Sequence, residues 1–322
     1  MKIVITDAQT ITKGDISLDF LKKYGEVVIY PLTSKEEISE RLKDADAVIC
    51  NKTPLNRETL AGAEKLKYIG LFATGYNNID IDYCNEKGIT VCNAGSYSTN
   101  AVAQHTFALI LEHFTQVGKY NDFVQQGGWK NSPTFSPFVF DINELWGKTI
   151  GIVGYGSIGK AVGRIAHAFG MNVLAHSRNF KEVENGKFCS LDQLLQNSDI
   201  VTVHCPLNKD SEKMFTKETF NKMKKGAFFV NTSRGGVLCE EDLKEALESG
   251  QLSGAGIDVL ETEPMKHDCC LLGVKNCIIT PHIAWAHYET RIRLMKIVEH
   301  NLKSFINGTP TNVVTFISGV QK

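Results

Sequence analysis

Three ionisable side chains in the second half of this 322-residue chain could together carry out proton and anion chemistry. Arg234 follows a run of apolar residues, Glu263 immediately precedes a proline, and His282 immediately follows one. An arginine can bind a carboxylate through two hydrogen bonds, an imidazole can donate a proton near neutral pH, and a neighbouring carboxylate favours the charged imidazole. Hydride transfer to a 2-keto acid needs a group for each role, because the carboxylate must be oriented and the carbonyl oxygen protonated.

The three side chains are predicted to converge because each follows a different strand. They lie in the polar segments 231–236, 256–264 and 280–284, which come after apolar, strand-like runs. The carboxyl ends of parallel strands share one edge of an open α/β sheet, and ligands bind at that edge. Taken singly, Arg234 would be a surface charge, Glu263 a solvated loop residue and His282 a structural histidine. Together they favour a catalytic site at which Arg234 and His282 contact the substrate.

A glycine-rich segment predicts a second ligand beside that site. Gly154, Gly156 and Gly159 form the pattern G-x-G-x-x-G after the buried run 149–153 and at the start of a helical pattern. The first glycine permits a tight turn, the second lets the backbone approach a pyrophosphate, and the third allows close helix–strand packing. The start of the helix offers N–H donors to phosphates. This context favours a dinucleotide site over a turn that is merely rich in glycine.

The end of the next predicted strand bears on the choice of dinucleotide. NAD-binding domains usually place an acidic residue there, which binds a ribose hydroxyl. This strand instead ends in His176, Ser177 and Arg178. Ser177 could bond a ribose hydroxyl or a phosphate, and Arg178 could bind a 2′-phosphate through two hydrogen bonds. We therefore expect NAD(P), with NADP slightly favoured over NAD; the alternative is that Arg178 is a solvated charge and NAD binds without the usual acid.

The elements that must position these residues alternate between strand-like and helical patterns. Five apolar runs between residues 3 and 93 and six between 149 and 280 are separated by helical stretches, which predicts parallel sheets covered by helices. Long helices are predicted over about 100–125 and 286–307. The length suggests two domains. The expected fold class is therefore α/β, with two doubly wound parallel-sheet domains.

Composition and charge exclude several other classes of protein. A net charge of −1, from 35 basic and 36 acidic residues, provides no basic surface for nucleic acid or an anionic membrane. No apolar run is long enough to span a bilayer, and the first residues form a strand pattern rather than a signal peptide. Nine scattered cysteines are typical of a reduced protein, and Cys269-Cys270 lacks partners for a metal site. We expect a cytoplasmic protein without a metal.

The motifs together resemble those of the D-isomer-specific 2-hydroxyacid dehydrogenases over essentially the whole chain. The resemblance is carried by segments 154–159, 204–207, 231–236, 258–264 and 281–284. It implies that Arg234, Glu263 and His282 form the catalytic trio. It also implies a Rossmann NAD(P)-binding domain over residues 100–286, inserted into a flavodoxin-like substrate domain built from 1–99 and 287–322. A homodimer formed through the cofactor domains is expected as well.

Further site residues follow from the same resemblance, motif by motif. They are the pyrophosphate contacts Ser157 and Ile158, the dinucleotide contacts Cys205 and Pro206, Thr232 near the nicotinamide ribose, Asp258 at the nicotinamide amide, and the substrate contacts Thr74, Gly75 and Asn51, with Lys52 as the alternative to Asn51. Histidines 105, 113, 167, 287 and 300 lie within helical patterns and are interpreted as structural.

The substrate is the least determined feature. Segments 95–105 and 281–286 look most like those of glycerate dehydrogenases, also called hydroxypyruvate reductases, so hydroxypyruvate is the expected substrate. Glyoxylate, pyruvate and other 2-keto acids are alternatives. A hypothesis of another class is a dinucleotide-sensing interaction protein, because the same fold also serves as a transcriptional corepressor.

Overall fold

The computed structural model describes residues 1–315. The chain divides into two compact units, which we call the first and the second unit. Of the described residues, the first comprises Met1–Tyr97 together with 286–315, and the second comprises Ser98–Trp285. Both units are parallel sheets covered by helices, which confirms the predicted fold class. Within the described residues, no helix is both long and apolar enough to cross a membrane.

The first unit contains a five-stranded parallel sheet. Its elements are β1 (Lys2–Ile5), β2 (Glu26–Ile29), α1 (Ile38–Leu42), β3 (Ala47–Cys50), β4 (Tyr68–Leu71), α2 (Ile81–Lys87) and β5 (Thr90–Cys92). The strand order is β2-β1-β3-β4-β5, the flavodoxin-like order, which reverses between β1 and β3. Every residue of β3 and β4 is buried, as expected for strands covered on both faces.

The second unit contains a seven-stranded parallel sheet. Its elements are α3 (Thr99–Thr115), α4 (Val117–Gln125), β6 (Thr149–Val153), α5 (Ser157–Ala168), β7 (Asn172–His176), β8 (Gly186–Phe188), α6 (Leu191–Asn197), β9 (Ile200–Val203), α7 (Lys217–Lys222), β10 (Ala227–Asn231), α8 (Glu240–Glu248), β11 (Leu252–Ile257) and β12 (Cys277–Ile279). The order β8-β7-β6-β9-β10-β11-β12 is that of a Rossmann sheet with one added strand. The last helix, α9 (Tyr288–Ile306), returns the chain to the first unit.

Two local predictions differ from the structure. The helix expected over about 100–125 is two helices, because Gln116 has φ 53° and this left-handed conformation cannot continue a right-handed helix. Apolar periodicity continues on both sides of Gln116, so the sequence does not reveal the break. The three-residue strand β8 was not predicted, because its residues are mostly exposed and lack an apolar pattern.

The core of the second unit lies on both faces of its sheet. Side chains of β10 alternate between the faces, so Phe228 and Val230 pack with helices α3 and α5 while Phe229 packs with α6, α7 and α8. A strand buried on both faces reads as a continuous apolar run, which is why β10 was predictable. This packing holds the carboxyl ends of β10, β11 and β12 side by side, and the three polar segments begin there.

Candidate active site

His282 and Glu263 form a hydrogen-bonded pair in the second unit. Nδ1 of His282 lies 2.6 Å from Oε2 of Glu263, and the two side chains are 24% and 33% exposed. The other carboxylate oxygen of Glu263 accepts the backbone N–H of Leu260 at 3.0 Å. An ionised carboxylate can only accept, so Nδ1 carries the proton in this bond. Nε2 is then the ring nitrogen that can exchange a proton with a ligand.

The backbone of His282 adopts an unusual conformation. Its φ of 54° is left-handed, which costs about 1–2 kcal/mol for a residue with a Cβ. The backbone N–H of His282 donates to the carbonyl oxygens of Asp258, at 2.8 Å, and Thr280, at 3.0 Å. Strained residues of this kind persist where surrounding bonds hold them, and they cluster at functional sites.

Asp258 organises the turn that carries His282. The residue is buried, and its carboxylate accepts the backbone N–H groups of Ile283 and Ala284, each at 2.9 Å. The hydroxyl of Thr280 also donates to it, at 2.6 Å. Asp258 was expected at the nicotinamide amide, and that role stays a prediction. In the structure its carboxylate joins the end of β11 to the segment after β12.

Arg234 is the last residue of a turn closed by Asn231. The amide of Asn231, which is fully buried, donates to the carbonyl oxygen of Arg234 at 2.9 Å and accepts the hydroxyl of Ser233 at 2.8 Å. Nη1 of Arg234 donates to the carbonyl oxygen of Ser233 at 2.7 Å. Thus the structure joins His282 to Glu263 directly, and places Arg234 beyond the end of β10, two strands from β12.

The glycine turn after β6 fits a dinucleotide. Gly154 has φ 98°, and a Cβ there would lie 2.5 Å from the backbone nitrogen of Cys205. A Cβ on Gly159 would lie 2.3 Å from the carbonyl oxygen of Gly154. A Cβ on Gly156, the residue that caps α5, would meet nothing within 4 Å. Two glycines therefore allow close packing of the chain, and the third leaves the start of a helix open to a phosphate.

The neighbouring predicted contacts differ in what their side chains offer. Ser157 is exposed, whereas the side chain of Ile158 packs against the core, so only its backbone could meet a phosphate. Pro206 is exposed beyond β9, and its carbonyl oxygen accepts the hydroxyl of Ser211 at 2.6 Å. Cys205 packs against the apolar cluster, and burial raises the pKa of its thiol. Its role there would be packing rather than acid–base chemistry.

Thr232 belongs to a buried polar network that the sequence did not reveal. Its hydroxyl lies 3.2 Å from that of Thr106 and 3.5 Å from Nδ1 of His204. Nε2 of His204 lies 2.9 Å from the hydroxyl of Thr202. Burial lowers the pKa of His204 to about 3, so its ring is neutral at ordinary pH. The motif containing His204 was recognised from the sequence, but no role was predicted for this residue.

Ser177 and Arg178 lie just beyond β7, the strand next to β6. The hydroxyl of Ser177 donates to the carbonyl oxygen of Asn179 at 2.7 Å. Nη1 of Arg178 lies 3.3 Å from Oδ2 of Asp210, and both side chains are more than two-thirds exposed. Exposed ion pairs contribute little, between about 0 and 1 kcal/mol, so Asp210 holds Arg178 only weakly.

The predicted substrate contacts of the first unit lie at the ends of β3 and β4. The backbone N–H of Asn51 donates to the carboxylate of Asp7, and its side-chain amide donates to the hydroxyl of Thr10 at 3.1 Å. The exposed hydroxyl of Thr74 donates to the carbonyl oxygen of Gly95. Gly75 follows Thr74 directly in the chain, just after a bend over residues 72–74. Their contact with substrate stays a prediction.

Asp7 was missed by the sequence reasoning. It is buried just after β1, and its carboxylate accepts the backbone N–H groups of Asn51, at 2.9 Å, Lys52, at 2.6 Å, and Thr53, at 2.9 Å. These bonds fix the loop after β3 at the point where the strand order reverses. The available signal was an acidic residue that directly follows a buried strand.

Comparison with known proteins identifies the family. The model of the D-isomer specific 2-hydroxyacid dehydrogenase NAD-binding domain matches residues 107–284. Hydroxypyruvate reductase of Blautia hydrogenotrophica is 45% identical over 320 residues, covering 98% of this chain and 99% of that protein. Glycerate dehydrogenase of Methylorubrum extorquens is 36% identical over 316 residues, covering 97% and 98%.

A solved structure has a similar fold. D-lactate dehydrogenase from Aquifex aeolicus, complexed with NAD and lactic acid, superimposes with a TM-score of 0.82 at 30% identity, covering 95% of this chain and 96% of that one. The family predicted from the motifs is therefore confirmed. This chain belongs to the D-isomer specific 2-hydroxyacid dehydrogenases, and it is an oxidoreductase with an NAD-binding domain.

Proposed function

We propose that this enzyme reduces hydroxypyruvate to D-glycerate with NAD(P)H, as a glycerate dehydrogenase does. The observation that carries the chemistry is the 2.6 Å bond between Nδ1 of His282 and Glu263, because it leaves Nε2 for a substrate. The choice of hydroxypyruvate is supported by the relatives that are named for hydroxypyruvate and glycerate.

The protonation step uses His282 and Glu263. In the direction of reduction, Nε2 of His282 donates a proton to the carbonyl oxygen of the substrate while the carbonyl carbon gains a hydride. Glu263 accepts the N–H of Nδ1 and so keeps the ring in position for the transfer. In the direction of oxidation, the neutral imidazole removes the proton of the substrate hydroxyl. The nicotinamide, when bound, supplies or accepts the hydride.

Arg234 binds the substrate carboxylate in this proposal. Its guanidinium can form two parallel hydrogen bonds with a carboxylate. The turn closed by buried Asn231 fixes the backbone from which the side chain extends. Arg234 therefore contributes mainly to substrate binding and orientation, whereas His282 contributes to the chemical step.

The cofactor is held by the glycine turn and the neighbouring strand ends. Gly156, Ser157 and Ile158 form the start of α5, where their backbone N–H groups would bind the pyrophosphate, and the space beside Gly156 is open. Thr232 and Asp258 lie at the ends of β10 and β11, where the nicotinamide half of a dinucleotide binds in this fold. Cys205 and Pro206 follow β9 between these two positions.

We infer a slight preference for NADP over NAD. No acidic residue closes β7, and Arg178 is exposed and only weakly held by Asp210. A dianionic 2′-phosphate would compete well with Asp210 for the guanidinium of Arg178. The hydroxyl of Ser177 could turn from Asn179 to the same phosphate.

The enzyme is also proposed to be a homodimer that associates through the second unit. Segment 127–146 exposes several aromatic side chains, among them Phe135, which is 91% exposed, and Phe138, which is 89% exposed. Within the segment, Nε1 of Trp129 donates to the carbonyl oxygen of Phe135 at 2.9 Å. An apolar surface of this kind is typical of a protein interface.

Light scattering would test this association. Replacing Phe135 and Phe138 together with aspartate should yield a monomer. The same change at Leu272, another exposed apolar residue of the second unit, should leave the mass unchanged. A wild-type monomer would contradict the dimer.

A cytoplasmic location is supported separately by the nine free cysteines, which are typical of a reducing compartment.

The proposed reaction is tested by measuring kcat/KM for hydroxypyruvate, glyoxylate and pyruvate with NADH and with NADPH. Hydroxypyruvate should give the highest value, and chiral analysis should identify the product as D-glycerate. A higher value for glyoxylate or pyruvate would assign the enzyme to that substrate. If no 2-keto acid were reduced, the reductase proposal would fail and a cofactor-sensing role would be favoured.

A further inference from the structure

His105 is a polar residue on helix α3, most of whose buried side chains are apolar. Helix α3 buries Phe107, Leu109 and Ile110 against the sheet, and the side chain of His105 is only 12% exposed. Burying an imidazole costs free energy unless its nitrogens are hydrogen-bonded. The contacts of His105 therefore indicate why a histidine is present here.

The imidazole reaches the segment that precedes His282. Nε2 of His105 lies 2.9 Å from the hydroxyl oxygen of Thr280 and 3.5 Å from Oδ1 of Asp258. Thr280 gives its own hydroxyl proton to Asp258, at 2.6 Å. The hydroxyl oxygen can then only accept from His105, so Nε2 of His105 carries a proton.

Asp258 in turn holds the turn around His282. Its carboxylate accepts the N–H groups of Ile283 and Ala284, and its carbonyl oxygen accepts the N–H of His282 at 2.8 Å. These bonds offset the cost of the left-handed backbone at His282. A chain of hydrogen bonds thus runs from the side chain of His105, through Thr280 and Asp258, to the backbone that carries the proposed proton donor.

We propose that His105 is a positioning residue for the reaction: through Thr280 and Asp258 it fixes the backbone turn that directs His282 toward the substrate. This role rests on the proposed function of His282, but the bonds themselves do not. Since a displacement of about 1 Å in a reacting group can lower a rate by about 100-fold, the loss of one of these bonds should be measurable.

Two pairs of variants separate this role from packing. His105→Leu removes the donor and His105→Gln keeps one near the position of Nε2. Thr280→Val removes the acceptor at nearly constant volume and Thr280→Ser keeps it. We expect His105→Leu and Thr280→Val to lower kcat by about 10- to 100-fold with little change in the Kd of the cofactor. The Gln and Ser variants should stay close to the wild type.

His113 provides the matched control on the same helix. Its Nε2 lies 3.1 Å from the hydroxyl of Ser253, at the opposite end of β11 from Asp258, and its ring stacks on Phe228. His113→Leu should lower the melting temperature but not the kcat of the folded enzyme. An equal loss of kcat in His105→Leu and His113→Leu, or no rescue by His105→Gln, would overturn the proposal.

The test remains decisive if a variant or the proposed reaction fails. If His105→Leu does not fold, Thr280→Val is compared with Thr280→Ser instead. Equal kcat values for these two variants would overturn the proposal. If the wild type reduces no 2-keto acid, the proposed function fails. The positioning role can then still be tested by crystal structures of the two His105 variants. Residues 281–284 should move in His105→Leu and stay in place in His105→Gln. An unmoved turn in His105→Leu would overturn the positioning role.

Discussion

Glu263 and His282 are 19 residues apart in the chain, and their side chains meet at 2.6 Å beyond the ends of two adjacent strands. The bond leaves one ring nitrogen of His282 for a substrate and places a negative charge beside the other. Both consequences can be tested separately, because a substitution can remove the charge and keep the hydrogen bond.

Glu263→Gln should lower kcat less than His282→Ala does. Loss of the proton donor removes general acid catalysis, which contributes about 100- to 10,000-fold. The glutamine keeps an acceptor for Nδ1 but removes the negative charge beside the ring. Steady-state kinetics and cofactor titration would check this. Glu261→Gln, in the same exposed loop, should match the wild type, and a full loss of activity in that control would contradict the assignment.

Arg234→Ala should chiefly raise KM for the keto acid, by about 100-fold or more, since each of the two hydrogen bonds to the carboxylate contributes about 1.5–3 kcal/mol. Arg234→Lys should recover only part of the loss, because lysine keeps the charge but not the planar fork. Adding guanidinium to Arg234→Ala should restore some activity. An unchanged KM would exclude Arg234 from carboxylate binding.

Gly156→Ala and Gly159→Ala should have opposite phenotypes. A methyl group on Gly156 meets no atom within 4 Å, so this variant should keep its melting temperature and bind the dinucleotide less tightly. On Gly159 the methyl would lie 2.3 Å from a carbonyl oxygen, so that variant should be destabilised. Calorimetry and fluorescence titration separate the two effects. Equal cofactor affinity in Gly156→Ala and the wild type would argue against a pyrophosphate at this turn.

Ser177→Asp should shift the preference from NADPH toward NADH. The new carboxylate would bond the ribose hydroxyl of NADH and repel a 2′-phosphate. Arg178→Ala should weaken the binding of NADPH and leave the binding of NADH nearly unchanged. The ratio of kcat/KM for the two cofactors is the measurement. If neither substitution changed that ratio, the end of β7 would have no part in cofactor choice.

The free energy of unfolding should fall as the pH is lowered, because His113 is buried. Burial lowers its pKa from 6.5 to about 4 in the folded protein. Below about pH 6.5, the pKa of His113 in the unfolded chain, the unfolded chain therefore binds a proton that the folded protein does not bind. As the pH is lowered, the resulting loss of unfolding free energy begins near the pKa of the unfolded chain and is complete below the pKa of the folded protein. Between about pH 7 and about pH 5 it should amount to about 2 kcal/mol.

His113→Gln should remove this part of the pH dependence, because glutamine does not titrate and can keep a bond to Ser253. Urea unfolding of both proteins at the two pH values would measure the difference. The same loss of unfolding free energy in both proteins would show that His113 is not its source.

The sequence by itself determined the fold class, the glycine turn and the family. Each rests on local patterns: the apolar run of β10 reflects burial on both faces, and the spacing of Gly154, Gly156 and Gly159 reflects one turn and one helix start. The segments that bear Arg234, Glu263 and His282 could likewise be placed at strand ends, because each directly follows an apolar run.

Only the tertiary structure decided which side chains support those segments. Asp7 bonds to a loop 44 or more residues away, and His105 bonds to Thr280 across 175 residues. Gln116 breaks a helix although the apolar periodicity continues past it. Periodicity records only which face of an element is buried, whereas these bonds depend on which strands become neighbours in a sheet and which helix packs over them.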